Sequence, residues 1–306
     1  MTVVLKTYGK GLADIWRVKK LLLFIYTINL IFACLLTLPV SMMFSEALVK
    51  TTAADKLLKI FDYPLYINIV KNYGQGISLS ALLLPLGLFY LILNTFLAGG
   101  IIDLFVRQRK FNIYRFVQAS LLYFGRFLKL FGLSLLMILA IVVLNGLLTK
   151  IAGLITEGAP TERVPLILLA VRLLIIFALL VFTNMLFDYA KIITVARESV
   201  RVVEAAILAW QFVWVGFIKT IGLYKLYLVT ALLIMAIYWI IESQVRFSGP
   251  WMVLLFFLWT QFLMLMRIWV RLGFFAGQTI FYAGSAVAGI SKPWTDEPFN
   301  EREIQP

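Results

Sequence analysis

The chain has 306 residues, of which 62% are hydrophobic and only 14% are charged. A soluble protein of this length cannot bury so much apolar surface, so the composition predicts an integral membrane protein. The single cysteine, Cys34, and the absence of histidine exclude intramolecular disulfides, Cys/His zinc sites and most histidine-based catalysis. The net charge of +13 comes mainly from basic residues beside apolar segments, which favours anionic lipid headgroups over nucleic acid as partners.

Six apolar stretches are long enough to cross a hydrocarbon core, which requires about 20 helical residues. In chain order they cover approximately residues 21–44, 79–106, 127–149, 164–187, 217–241 and 250–282. The first is too long for a cleaved signal peptide and lacks a small-x-small cleavage site, so we expect it to remain in the mature protein. The sequence therefore predicts an all-α polytopic protein, with a single transmembrane domain over 1–285 and a polar cytoplasmic tail over 286–306.

Basic residues alternate from one connection to the next. They cluster before the first span, between the second and third, where "RQRK" occupies 107–110, and between the fourth and fifth. The connections 45–78, 150–163 and 242–250 are less basic or are balanced by acidic residues. Because basic loops remain on the cytoplasmic side, this pattern predicts that both termini are cytoplasmic.

Each basic stretch before an odd-numbered span also mixes apolar and aromatic residues, which is typical of a helix lying along a membrane surface. Such interfacial helices are predicted at 8–18, 112–124 and 200–213. The chain then divides into three parallel units, each an interfacial helix followed by a helical hairpin, at about 8–108, 109–198 and 199–285. Ordinary positive-inside spacing also places basic clusters every two spans, so a true repeat and simple topology are both open interpretations.

Charged residues within or at the ends of the spans are the candidate functional residues. Asp103 and Asp188 lie near the cytoplasmic ends of spans two and four, while Arg267 and Arg271 lie four residues apart on one face of span six. Since charges inside a membrane usually pair or face water, these four residues predict either an ion-pair cluster joining the spans or an anionic-lipid site. Arg172 is a further intramembrane charge, in the outer half of span four, for which outward snorkelling is expected.

Motifs for chemistry are missing from the sequence. It contains no Walker-type phosphate loop, no Gly-x-Ser-x-Gly motif and no metal-ligand spacing. We therefore expect no enzymatic activity, no catalytic residue, no metal and no cofactor.

The order of several motifs carries a family resemblance. A "GG…D" pattern before a basic loop is followed by "YFGRFLKLFGLSLL" and then by "FDYAKIITVARESVRVVEAAILAWQFV". This order resembles a set of uncharacterised bacterial six-span membrane proteins, similar in plan to the membrane domain fused to some glycerophosphodiester phosphodiesterases. The resemblance covers most of the chain, but the phosphodiesterase domain has no counterpart. It implies a bacterial inner-membrane protein and transfers no functional residues.

Two classes of function follow. The first is a non-enzymatic scaffold or accessory subunit that contacts lipids and a partner membrane protein or a second copy of itself. The alternative is a transporter or lipid-handling protein that binds an anionic headgroup near Arg267 and Arg271. Inverted repeats commonly support alternating access, whereas these predicted units are parallel, so the pattern favours the scaffold.

Overall fold

The computed structural model describes residues 2–50, 67, 79–156, 163–198, 200–244 and 250–285, and within this part of the chain every regular element is an α-helix. Six of these helices are long and apolar enough to cross a membrane. The predicted all-α polytopic fold is thereby confirmed. In chain order the helices are α1 (Thr2–Arg17), α2 (Lys19–Lys50), α3 (Leu79–Val106), α4 (Ile113–Thr156), α5 (Arg163–Ala196), α6 (Val202–Val215), α7 (Phe217–Gln244) and α8 (Pro250–Gly284), of which α1 and α6 are the two shorter ones.

The three segments predicted to be interfacial are helical, but they join the following spans in different ways. α1 is separated from α2 by a turn at Val18, and α6 ends at Val215, before Gly216, whose φ of −97° and ψ of 18° depart from helical values. The segment 113–124 instead continues without interruption into span three as the first turns of α4, because no proline breaks this helix. Their inclination to the membrane plane stays a prediction.

The helix contacts follow a cyclic order. α3, α5 and α8, which are the second spans of the three predicted units, contact one another, and α2, α4 and α7 pack beside them. The start of α4 packs against α3, α6 packs against α5, and α1 packs against α8. Each predicted interfacial segment thus contacts the second span of the unit before it, and α1 closes the ring against the last. This order is compatible with three equivalent units, which remain an interpretation.

Glycines allow two of these helix pairs to approach closely. A Cβ atom at Gly100 of α3 would lie 2.6 Å from atoms of both Phe116 and Ser120 in α4. In the second pair, a Cβ atom at Gly11 of α1 would lie 2.8 Å from the backbone nitrogen of Gly277 in α8. Small residues at helix interfaces permit such backbone contact in membrane proteins.

Buried side chains concentrate at one end of the bundle, which we call the packed end. It comprises α1, α6, the starts of α2, α4 and α7, and the last turns of α3, α5 and α8. Its large, fully buried side chains include Ile15, Ile102, Tyr123, Tyr189 and Leu272. Toward the opposite end the spans expose large apolar side chains, as at Leu154 and Trp251, which suits contact with lipid. Polar groups at the packed end therefore lie among buried, closely packed side chains.

Candidate functional site

Asp103 and Asp188 both lie at the packed end, and each has a basic partner on its own helix or just beyond it. Arg107 Nε donates to Asp103 Oδ1 at 2.7 Å. Lys191 Nζ lies 3.6 Å from Asp188 Oδ1. Among the described residues, no ion pair joins either acid to Arg267 or Arg271. The structure therefore places the two acids in separate local clusters.

The first cluster ties the end of α3 to α4 and to the connection after α5. The Arg107 guanidinium also contacts the carboxylate of Glu198 and donates to the Tyr123 hydroxyl at 3.3 Å. Arg126 Nη1 donates to the Glu198 backbone carbonyl at 2.6 Å. Burial lowers the pKa of Arg107, but its hydrogen bonds to Tyr123 and Asp103 outweigh this effect and raise the pKa above its ordinary value. We call this group the Arg107 clasp.

Glu198 was not among the candidates predicted from the sequence. A signal was present, because Glu198 is the one acidic residue in the basic connection 197–201. An acid that interrupts a basic topogenic loop is a candidate partner for a base in the neighbouring loop, and Arg107 occupies that position.

The second cluster joins three spans around Asp188. The Tyr224 hydroxyl of α7 donates to Asp188 Oδ2 at 2.7 Å, and Gln278 Nε2 of α8 lies 3.5 Å from the same oxygen. Gln278 Nε2 also donates to the Tyr224 hydroxyl at 2.6 Å. The carboxylate thus links α5, α7 and α8 at the packed end.

Arg267 and Arg271 line a cavity of about 840 Å³ between α2, α3, α5, α7 and α8. Both side chains are exposed. Arg271 Nη1 donates to Asn94 Oδ1 of α3 at 3.0 Å. The described residues that line the cavity include no aspartate or glutamate. The two guanidinium groups therefore bring positive charge to this cavity without a carboxylate to neutralise it.

The cavity lining combines polar and apolar side chains. Among the described residues, the polar lining includes Asn29, Tyr90, Asn184 and Gln261. Apolar lining comes from α7, with Leu228, Ala231 and Ile234, and also from α8, where the arginines alternate with apolar residues such as Ile268. The volume lies near the upper end of the range of about 300–1,000 Å³ typical of small-molecule sites. An amphiphile with a compact polar group matches this combination.

Tyrosine hydroxyls fix two amides of the polar lining. The Tyr26 hydroxyl donates to Gln261 Oε1 at 2.9 Å, and the Tyr90 hydroxyl donates to Asn29 Oδ1 at 2.6 Å. These bonds connect α2 with α8 and α3 with α2. Sequence reasoning did not identify Asn29, Tyr90 or Gln261, because single polar residues in a span are usually helix-packing partners.

Arg172 lies apart from this cavity, in the half of α5 away from the packed end. Its Nη1 donates to Thr149 Oγ1 of α4 at 2.6 Å. Its Nε is buried and has no hydrogen-bond partner within the described ranges. The residue bridges two spans, and its expected snorkelling stays a prediction.

Within the part of the chain that the structure describes, no three Cys, Asp or Glu side chains come close enough to hold a metal ion. No protein-family model, curated protein or solved structure matches this chain.

Proposed function

We propose that this membrane protein binds an amphiphile with an anionic headgroup, such as an acidic phospholipid, in the cavity lined by Arg267 and Arg271. The observation that carries the proposal is the pairing of two guanidinium groups with a described lining that lacks carboxylates. Positive charge within a membrane is costly unless it is neutralised. A phosphate oxyanion would supply that neutralisation, and the planar guanidinium fork suits bidentate contact with it.

The apolar residues of the cavity lining favour a lipid over a free inorganic anion. Leu228, Ala231 and Ile234 offer no hydrogen bonds to a hydrated ion, whereas they provide a surface for an acyl chain. A lipid would place its phosphate on the arginines of α8 and its chain along α7. The proposal therefore takes the alternative interpretation of the sequence, lipid handling, as the better supported one.

We place the protein in the inner membrane of a bacterial cell with both termini cytoplasmic. The basic residues at 107–110 and the pair Lys19 and Lys20 at the start of α2 support this orientation. The packed end then faces the cytoplasm, and the arginines receive a headgroup from the inner leaflet. The similarity in plan to the membrane domain of glycerophosphodiester phosphodiesterases supports the bacterial assignment and adds no functional residue.

A scaffold or accessory role is the second candidate. It is favoured by an exposed aromatic surface at the α6–α7 junction, where the rings of Trp210 and Trp214 stack with centroids 6.1 Å apart. Ile218, directly beyond them, is 87% exposed. This surface could contact a partner membrane protein or a second copy of the chain. Mass measurement of the detergent-solubilised protein tests the second possibility, since a monomer would exclude a stable homo-oligomer.

The lipid proposal is tested by native mass spectrometry of the purified protein after mild-detergent extraction from membranes containing phosphatidylglycerol. The test variant carries Arg267→Gln and Arg271→Gln. A matched control carries Arg109→Gln and Arg115→Gln, which remove the same charge from exposed positions outside the cavity. A hydrogen bond to a charged group contributes about 1.5–3 kcal/mol, so each cavity substitution should weaken lipid binding about tenfold or more.

The expected result is loss of bound anionic lipid from the cavity variant, while the control retains the lipid content of the unmodified protein. Circular dichroism and elution volume establish that both variants are folded. A folded cavity variant that retains phosphatidylglycerol as well as the control would refute the proposal.

A further inference from the structure

Polar side chains of the cavity lining, which we call the polar wall, extend well beyond the two arginines. Thr260, Arg267 and Arg271 all belong to it, and the eleven-residue separation between the first and the last corresponds to about 16 Å of helix. This length is about half of a hydrocarbon core, which is about 30 Å thick. A site that held only a headgroup at the membrane surface would not need polar side chains spread over this length.

Asn29 gives a second measure of depth, from a different helix. It follows Lys20, which marks the headgroup level at the start of α2, by nine residues or about 14 Å. Asn29 therefore lies close to the centre of the membrane. Its hydrogen bond from Tyr90 shows that α3 contributes a polar group at the same level.

The amides on this wall present hydrogen-bond donors to the cavity. The Tyr26 hydroxyl occupies the side-chain oxygen of Gln261. The Tyr90 hydroxyl similarly occupies the oxygen of Asn29, whose Nδ2 uses one hydrogen in a bond to the Ile25 carbonyl at 2.8 Å. The remaining N–H groups of both amides are donors. Because Arg267 and Arg271 also only donate, the wall as a whole favours an oxygen-rich anion over a cationic headgroup.

We infer that the protein moves anionic phospholipids between the two leaflets, with the phosphate passing from the arginine pair to the amide donors of Gln261 and Asn29. This inference rests on the proposed function and adds an activity to it. The donors stabilise the phosphate at the membrane centre, where its desolvation is the main barrier to crossing. The movement runs down a concentration difference, so it requires no nucleotide and no covalent step.

The substrate class follows from the same donors. A phosphodiester with a hydroxylated, uncharged terminal group, as in phosphatidylglycerol, offers oxygen acceptors to these donors and carries a net negative charge that Arg267 and Arg271 attract. Phosphatidylcholine carries a quaternary ammonium that cannot accept a hydrogen bond and is repelled by Arg267 and Arg271. Anionic lipid is therefore expected to cross faster than zwitterionic lipid.

The activity is tested in liposomes that contain the purified full chain and a trace of phosphatidylglycerol with a fluorophore on its acyl chain. Dithionite added outside bleaches only fluorophores that reach the outer leaflet, so its slow phase reports crossing. Gln261→Met and Asn29→Leu remove donors with little change in side-chain volume. Thr95→Val is the matched control, since its hydroxyl donates to Leu91 of its own helix at 2.9 Å and the residue does not line the cavity.

We expect Gln261→Met and Asn29→Leu to slow crossing about tenfold, and Thr95→Val, which lies outside the cavity, to match the unmodified protein. Undiminished crossing by both folded donor variants would overturn the inference. The absence of crossing by the unmodified protein would also overturn the inference. If that protein still bound phosphatidylglycerol through Arg267 and Arg271, the proposed function would stand.

A second measurement needs no variant. The unmodified protein should move fluorescent phosphatidylcholine at least about tenfold more slowly than phosphatidylglycerol in the same liposomes, because the former lacks a net negative charge. Equal rates for the two lipids would overturn the inference even if a donor variant failed to fold.

Discussion

The contact between α1 and α8 gives a sharp test of how the ring of helices closes. The perturbation is Gly11→Ala, which adds a single methyl group where the two helices meet. Gly9→Ala is the control on the same helix, because Gly9 is exposed and a Cβ atom there meets nothing within 4 Å. Both substitutions gain the same helix propensity, about 0.8–1.0 kcal/mol, so this gain cancels in their comparison.

The magnitude follows from the surroundings of Gly11. A methyl group there would lie 2.5 Å from the Tyr227 hydroxyl and 2.8 Å from the backbone nitrogen of Gly277. The tyrosine cannot yield freely because its hydroxyl donates to the Gly273 carbonyl at 2.7 Å, and a backbone atom cannot rotate away. Overpacking of this kind typically costs about 1–3 kcal/mol. We therefore expect Gly11→Ala to be less stable than Gly9→Ala by about that amount.

The assay is thermal unfolding of both variants in the same mild detergent, followed by tryptophan fluorescence. With about 2–4 °C per kcal/mol for a chain of roughly this size, the two midpoints should differ by roughly 2–12 °C. Equal midpoints for the two variants would refute the close packing of α1 against α8 and, with it, the closed order of contacts.

Three further predictions concern the clusters and the topology. Arg107→Ala should lower the free energy of unfolding by about 1–3 kcal/mol because it opens the Arg107 clasp, whereas Arg109→Ala should change it by less than about 0.5 kcal/mol; equal effects in thermal unfolding would argue against the clasp. Tyr224→Phe should cost about 1–3 kcal/mol, because it removes a donor from a buried carboxylate, while Tyr114→Phe at a 77% exposed position should be neutral; a neutral Tyr224→Phe would contradict the second cluster. In intact cells that express a variant without Cys34, single cysteines placed in 45–78 should react with an impermeant thiol reagent. Labelling confined to the connections predicted to be cytoplasmic would contradict the proposed orientation.

The sequence predicts the spans well because length and apolarity alone decide which helices can cross a membrane. The end of span two was predicted at residue 106, and α3 ends at Val106. The extent of span three was less accessible, since α4 starts at Ile113 and continues to Thr156, well beyond the predicted 127–149. An amphipathic segment followed by an apolar one can form a single uninterrupted helix, as in α4, or two helices joined at a bend. The spacing of apolar residues does not distinguish these two structures.

The candidate site was less predictable for a physical reason. The sequence indicates how deep Arg267 and Arg271 lie along α8, and it places them on one face. It does not indicate which neighbouring helix that face meets, because this depends on the packing of all six spans. Helical spacing is enough to predict that Arg107 pairs with Asp103 and Lys191 with Asp188. The hydrogen bond between Tyr26 and Gln261 instead joins residues 235 positions apart. Contacts of that kind require the tertiary structure.

The most direct test of the lipid site measures the distance between the arginines and a lipid phosphorus. Solid-state NMR of protein with ¹⁵N-labelled arginine in phosphatidylglycerol bilayers can detect dipolar coupling between guanidinium nitrogens and ³¹P. Charge-assisted contact places a guanidinium nitrogen about 2.7–2.9 Å from a phosphate oxygen, close enough for strong coupling. We predict a strongly coupled population that disappears in the folded Arg267→Gln, Arg271→Gln variant and persists in the Arg109→Gln, Arg115→Gln control. Coupling that is unchanged by loss of the two cavity arginines would contradict the account.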